Sequence, residues 1–234
     1  MLLAGMPAFC QSEDLALGRL LVASRDLGDP NFAKTVILLV HYSEGQGAVG
    51  LVVNKRTDVP ISRVFHDLKE ASGRKDPVYI GGPVELNSVL ALLKSASKPE
   101  GADKIFGDVY LISNKDLLTK TLASDAEPTA FHTYIGYAGW QPGQLEHEVE
   151  LGAWHIMPAD VGTVFHADPD SVWPRLIRRT ETQIAGIPCI PCLPGIPSPT
   201  YTPPRPSPAP RSPGRECDPS PRRFSPSPGC TCAA

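Results

Sequence analysis

GYAGWQPGQLEHEVELGAWHIMP, running from Gly136 to Pro158, is the stretch on which the reading of the fold turns. It reads as strand end, tight turn, short helix, tight turn, strand. Gly136 and Gly139 suit a backbone leaving a strand with positive φ or in close approach to another segment, where a Cβ would obstruct. Pro142 fits a first helical residue, because the N–H it lacks would have no intrahelical partner there. With Gln141 as N-cap, Trp140 is placed to pack on Leu145, and Gln144 to reach back to the cap's N–H. Leu145 and Val149 then share one helix face, Glu146 and Glu150 the next, and Gly152 ends the helix.

Outward from this stretch, the segments group as strands and helices without strict alternation. Upstream lie apolar runs at Leu20 to Ala23 and Thr35 to Tyr42, the second β-branched and suited to a strand buried on both faces. An EGQG turn and AVGLVVNK follow, which predicts a hairpin. Ile61, Val64, Phe65 and Leu68 have helical spacing, predicting a helix over 61–71 stopped by Gly73. PVYIGGP reads as a short strand, Val89 to Lys94 and Val109 to Ile112 as further apolar runs, and Asn114 as the cap of a helix carrying Leu117, Leu118 and Leu122. Thr129 to Tyr137 alternates as a strand leading into the central stretch, and Trp154 to Met157 continues on its far side. Downstream, Ser171 to about Ile184 forms a last helix with Pro174 in its first turn. Grouped strands favour a mixed α+β class over a doubly wound parallel sheet.

Composition divides the 234 residues. Of 26 prolines, 15 fall between Pro188 and Ala234, among Ser, Arg, Gly and Cys, a mixture that cannot bury enough apolar surface to order itself. The expected organisation is a leader over 1–17, disordered or a signal remnant, one folded domain over 18–184, and a Pro/Arg/Cys-rich disordered tail over 185–234. Residues 1–187 hold 17 basic against 23 acidic side chains, a net of −6, and the tail a net of +3. An acidic core is a poor electrostatic partner for nucleic acid.

All six cysteines lie outside the expected domain, at Cys10 and in the tail, so no core disulfide or cysteine nucleophile is available. Cys189 to Cys192 have C-x-x-C spacing, but flanking prolines oppose the helix N-terminus a redox pair uses, and Cys230 and Cys232 complete no familiar zinc pattern. No apolar run reaches the roughly 20 residues of a membrane span. The apolar start lacks a basic segment, which favours a cytoplasmic protein over an exported one.

Several motifs fail on context. Gly45, Gly47 and Gly50 match G-x-G-x-x-G, but the third glycine sits in a strand pattern, so a hairpin turn is the better reading. Gly81-Gly82-Pro83 could offer backbone N–H groups to an anion, yet no Lys or Ser/Thr follows, and a strand bend accounts for it. Glu146, Glu148 and Glu150 read as a solvated helix face. His147 lacks the second histidine of a zinc-protease motif, and His41, His66, His132, His155 and His166 are scattered, each read as structural. No serine elbow is present.

Three blocks, GRLLVASRDLGDPNFAKTVILLVHYSEGQGAVGLVVNK at 18–55, YIGGPVE at 79–85 and GYAGWQPGQLEHEVELGAWHIMPAD at 136–160, resemble in that order the YqgE/AlgH family of bacterial proteins, over about residues 18 to 180. The resemblance implies an α+β fold whose bifurcated sheet is bent into a pseudo-barrel with packed helices. It also implies a cytoplasmic protein of unknown biochemical function. Some members carry the label of transcriptional regulators of exopolysaccharide production, by genetic association. No catalytic residues carry over. Members often have Pro where this chain has Arg25, and Arg-Pro where it has Lys55-Arg56, so a looser turn and two cations are expected near Asn54.

The leading functional reading is a binding or regulatory module, with a surface built from Asn54, Gly81, Gly82, Pro83, Trp140, Gln144 and Glu146, since sites gather at turns. Its partner would be a protein or small molecule, and no cofactor or metal is called for. The alternative is a hydrolase or transferase using Glu146 with a nearby histidine. A third reading, direct DNA binding, lacks a helix-turn-helix pattern.

Overall fold

Aliphatic and β-branched runs build the centre of the sheet. In the computed structural model, which describes residues 14–124 and 127–185, ten strands form: β1 Arg19–Ala23, β2 Val36–Ser43, β3 Gly47–Val52, β4 Arg56–Pro60, β5 Pro77–Ile80, β6 Val84–Lys94, β7 Asp103–Phe106, β8 Val109–Ile112, β9 Phe131–Trp140 and β10 Trp154–Pro158. The helices are α1 Ile61–Val64, α2 Lys115–Ala123, α3 Gln144–Glu150 and α4 Pro169–Ala185, with a 3-10 turn at Lys69–Ala71 and a π-helical turn at Gly162–His166. The cysteines, the leader through residue 13 and the tail from residue 186 lie outside the described residues.

The main path of the sheet runs β10-β1-β2-β3-β9-β6-β8-β7, antiparallel throughout. It curls into a half-barrel with the helices packed on it, the expected α+β class. The bifurcation is made by β9. Its C-terminal residues Ala138–Trp140 pair with β3, whereas Thr133–Ile135 pair in parallel with β5, which in turn carries β4. Because β6 occupies the other edge of β9, β3 and β5 share one edge and must diverge.

Glycines make that fork. Gly81, which directly follows β5, donates its N–H to the Ile135 carbonyl of β9 and accepts from Val52 N–H of β3, both at 2.8 Å, so it bonds β9 and β3 at the fork. A Cβ on Gly81 would collide with the Gly136 carbonyl oxygen, and one on Gly82 with the Tyr137 backbone. Gly136 itself has φ +67. The Gly81-Gly82-Pro83 segment is therefore a bend in close backbone contact, as expected, and the Gly81 N–H is committed to the sheet. Gly139 differs from expectation: it lies within β9, and a Cβ there would make only ordinary contacts of 3.4 Å or more.

Two apolar clusters result. One gathers β1, β2, β3, α3 and α4 around Trp154, and the other packs α1 and α2 against Val78, Ala91, Ile112 and Phe131. Val172, Trp173, Leu176 and Ile177 are the buried face of α4, each contributing roughly 1.5–3 kcal/mol of apolar burial. The Trp173 indole N–H donates to the Ala23 carbonyl at 2.8 Å, fixing the helix to β1.

The central stretch folds as strand, turn, helix, turn, strand, with its helix entry displaced. Pro142-Gly143, with Gly143 at φ 76 and ψ −8, forms a type II turn closed by the Gln144 N–H to Gln141 carbonyl bond at 3.0 Å. The helix thus begins at Gln144 and not at Pro142. The Gln144 side chain still accepts the Gln141 N–H at 3.0 Å. At the other end, Gly152 has φ +77, and its N–H and that of Ala153 bond the Val149 and Glu148 carbonyls, a Schellman motif.

Three further differences have physical causes. The helix expected over 61–71 stops at Phe65, which leaves helical geometry at φ −109 and ψ 49. Beyond it the chain continues in tighter turns, with Leu68 N–H bonded to the Phe65 carbonyl at 2.9 Å and Ala71 N–H to the Leu68 carbonyl at 3.1 Å, the three-residue spacing of 3-10 geometry. α4 starts at Pro169, so Pro174 falls in the second turn and leaves the Asp170 carbonyl, at an exposed residue, without its helical partner. β4 and β7 are too short and polar to show an alternating pattern in sequence.

Candidate functional site

The parallel pairing of β5 with β9 sets Tyr79 opposite Tyr134, two residues along from His132. Alternation along β9 sends His132 and Tyr134 to one face. Tyr79 stacks on the His132 imidazole with ring centroids 4.6 Å apart, and Phe165 approaches the same imidazole at 4.9 Å. Phe165 is delivered by the π-helical turn, a geometry that recurs at functional sites. Asp160 anchors that turn, accepting from Thr163 N–H at 2.8 Å and Thr163 Oγ1 at 2.7 Å.

These rings wall a cavity of about 470 Å³ that also touches Arg56, Asp76, Phe131, His166 and Asp168. His132 is only 8% exposed, and its Nδ1 is buried without a hydrogen-bond partner. Burial pushes its pKa down to about 4, helped by the nearby charges of His166 and Arg56 and opposed by the Pro128 backbone and Asp76. The imidazole is therefore neutral at physiological pH. Thr133 Oγ1 and the Tyr134 hydroxyl are likewise buried and unpartnered. Three successive residues of β9 thus hold unmet polar atoms, whereas buried polar atoms are ordinarily bonded. Burial raises the pKa of Tyr79, opposed by Arg56, and raises that of Tyr134 further still.

A second recess of about 630 Å³ is lined by Asn54, Lys55, Arg56, Asp58, Ile80, Asp168, Pro169 and Asp170. It meets the aromatic cavity at Arg56, Asp168 and Pro169. The two cations expected near Asn54 are therefore on this groove, with Lys55 Nζ donating to the Asn31 carbonyl. The Asn54 amide is committed: Oδ1 accepts from Val36 N–H at 2.8 Å, and Nδ2 donates to the Lys34 carbonyl at 3.0 Å.

Trp140 ends β9, and Gln144 and Glu146 lie on α3. Trp140 is buried, and its indole N–H donates at 2.9 Å to Glu148, which also accepts from the Trp154 indole at 2.8 Å and from Gln144 Nε2 at 2.9 Å. Glu148, read from sequence as part of a solvated face, is a partly buried junction between two tryptophans, because its face turns towards β9 and β10. Phe32 packs on both indoles, at 6.3 and 5.9 Å. Glu146 accepts from the Tyr42 hydroxyl at 3.0 Å, leaving its Oε2 buried and unpartnered. Burial and that bond push the Tyr42 pKa up to about 12. The structure thus joins Trp140 to Gln144 through Glu148, turns Glu146 towards Tyr42, and sets Asn54 on the aromatic cavity's groove. His147 faces Glu150 on the exposed side.

Sequence reasoning did not single out Tyr79, His132 and Phe165. Alternation in FHTYIGY could place His132 beside Tyr134, but nothing local signals the parallel β5 or the π-helical turn. Among the described residues, no group of three His, Cys, Asp or Glu side chains is placed to hold a metal ion, and no helix is long and apolar enough to cross a membrane.

The family model described as AlgH-like matches residues 20–185. The chain belongs to the AlgH-like family. A UPF0301 protein of Streptomyces avermitilis is 35% identical over 177 residues, covering 72% of this chain and 88% of that protein. A UPF0301 protein of Azoarcus is 35% identical over 154 residues, covering 64% and 81%. Among solved structures, the AlgH protein from Pseudomonas aeruginosa superimposes with a TM-score of 0.59 at 28% identity, covering 72% of this chain and 92% of that one. A Corynebacterium diphtheriae protein gives 0.57 at 25% identity, covering 70% and 87%. The names of these AlgH-like relatives state no biochemical activity.

Proposed function

We propose that the AlgH-like domain is a binding module of regulatory type, whose small-molecule ligand occupies the cavity between Tyr79, His132 and Phe165. The observation that carries this reading is His132, nine-tenths buried in a cavity wall with Nδ1 unpartnered. Small-molecule sites are concave, largely apolar, and supplied with a few well-placed polar groups. The groove at Asn54 serves as the mouth. Gly81, Gly82 and Pro83 make the bend that follows β5, whose Tyr79 lines the cavity, whereas Trp140, Gln144 and Glu146 line neither recess. A cytoplasmic location belongs to the same reading, since residues 18–184 contain no cysteine and need no oxidising compartment. Direct DNA binding does not, because residues 1–187 carry a net charge of −6.

The test is ligand-observed NMR of the full-length protein with a set of small planar aromatic compounds, following the His132 ring resonances in parallel. Binding that shifts those resonances and weakens in Phe165→Leu is the expected result. A set in which no compound binds, with the protein folded, overturns the reading.

A further inference from the structure

We propose that the cavity and its groove together bind a nucleoside, with the base against Tyr79, His132 and Phe165 and the ribose against the carboxylates of Asp168 and Asp58. The proposal rests on the cavity reading above and names its ligand class.

Geometry supplies the first argument. The two recesses, about 470 and 630 Å³, meet at Arg56 and Asp168, so one molecule with two chemically different halves can span them. Each lies in the size range of small-molecule sites. The inner half is a wall of rings, with the Tyr79–His132 stack at 4.6 Å and an interplanar angle of 25°, and stacking on such a wall suits any flat base.

The polar atoms supply the second. A neutral imidazole neither requires nor repels charge. Because no protein group bonds Nδ1, that nitrogen is left for a heterocycle edge, which offers both donors and acceptors. A purely hydrocarbon ring would leave it unmet.

Charge in the outer half decides between nucleoside and nucleotide. Asp58, Asp168 and Asp170 outnumber Lys55 and Arg56 there, which disfavours a phosphate. Among the described residues, the Asp168 carboxylate takes no hydrogen bond or ion pair; only its backbone carbonyl is used, accepting from Ser171. A free carboxylate can accept from ribose hydroxyls, as the acidic residue of dinucleotide-binding folds does.

The experiment is calorimetry and ligand-observed NMR on the full-length protein with adenosine, guanosine, cytidine and uridine, beside the free bases, AMP and indole. At least one nucleoside is expected to bind, with its monophosphate about tenfold weaker or more. Asp168→Asn, at an exposed position, should weaken the nucleoside by about tenfold while changing the free base less than about twofold. Phe165→Leu should weaken both. Binding of indole or free bases with no gain from the ribose overturns the nucleoside assignment and leaves the cavity reading standing. Failure of every compound, indole included, overturns both. Nucleoside binding untouched by either substitution places the ligand elsewhere and overturns the proposal.

Discussion

The Gly136 backbone runs so close to Gly82 that a Cβ on Gly136 would stand 2.6 Å from the Gly82 carbonyl oxygen. This contact lies at the fork where β3 and β5 leave the edge of β9. Gly82→Ala drives its new methyl into the Tyr137 backbone, which no rotamer change can relieve. It should cost roughly 3 kcal/mol or more, read as a lower midpoint in urea unfolding. Gly139→Ala is the contrast. Its Cβ meets only ordinary contacts, so stability should hold or rise by up to about 1 kcal/mol. Equal losses in the two variants would contradict the fork.

Glu148 joins Trp140 and Trp154 through one carboxylate oxygen. Glu148→Ala leaves two buried indole N–H groups without acceptors, at about 1–3 kcal/mol each, so a loss of about 2–6 kcal/mol is expected. Glu148→Gln retains one acceptor oxygen for the indoles but sets an amide against Gln144 Nε2, and should lose about half as much. Urea unfolding, with near-ultraviolet circular dichroism to follow the tryptophans, checks both. A neutral outcome for Glu148→Ala would mean that solvent already reaches the indoles.

His132 gives stability a pH dependence of definite sign. Its folded pKa, about 4, lies below the ordinary value of about 6.5. Between these values the unfolded chain binds a proton that the folded chain does not, so stability falls as pH falls through that window. Of a full effect near 3 kcal/mol, about 2 kcal/mol should be lost between pH 7 and pH 5. His155, whose pKa burial also lowers, remains in both proteins when wild type is compared with His132→Gln. The difference between their pH profiles therefore isolates His132, and parallel profiles would show that its imidazole is solvated.

What the sequence disclosed follows from the range of each interaction. The Asn114 cap, the Gly152 exit, the Gln144 bond to Gln141 and the β2–β3 hairpin involve neighbours within a few residues, and turn and cap chemistry names them directly. The Pro142-Gly143 turn was equally local, but Pro as a first helical residue competed with the Pro-Gly signature of a type II turn, and the turn prevailed. The site is non-local. Tyr79, His132 and Phe165 come from β5, β9 and the π-helical turn, and they meet only because β5 pairs in parallel across a long connection. Glu148 escapes local pattern for a related reason: helical spacing alone makes its face solvated, but the indoles of Trp140 and Trp154, from the strands that precede and follow the helix, cover it.

Asn54 ties the end of β3 to the loop that carries Phe32 over the two tryptophans. Its Oδ1 accepts from the N–H of fully buried Val36, and its Nδ2 holds the carbonyl of Lys34, a non-glycine residue at φ 58. Asn54→Ala removes both bonds and leaves the Val36 N–H unmet, at about 1–3 kcal/mol. Asn54→Asp retains the acceptor for Val36 but sets an anionic oxygen against the Lys34 carbonyl, so the backbone is held at one end and repelled at the other. Both variants should loosen the loop and raise hydrogen exchange at Asn31 to Thr35, with the larger loss of global stability in Asn54→Ala. Because Asn54 also lines the mouth of the groove, ligand binding provides the second measurement. A loss of affinity that tracks the loop's exchange in both variants assigns Asn54 a positioning role, whereas a loss in a variant with unchanged exchange assigns it direct contact with the ligand.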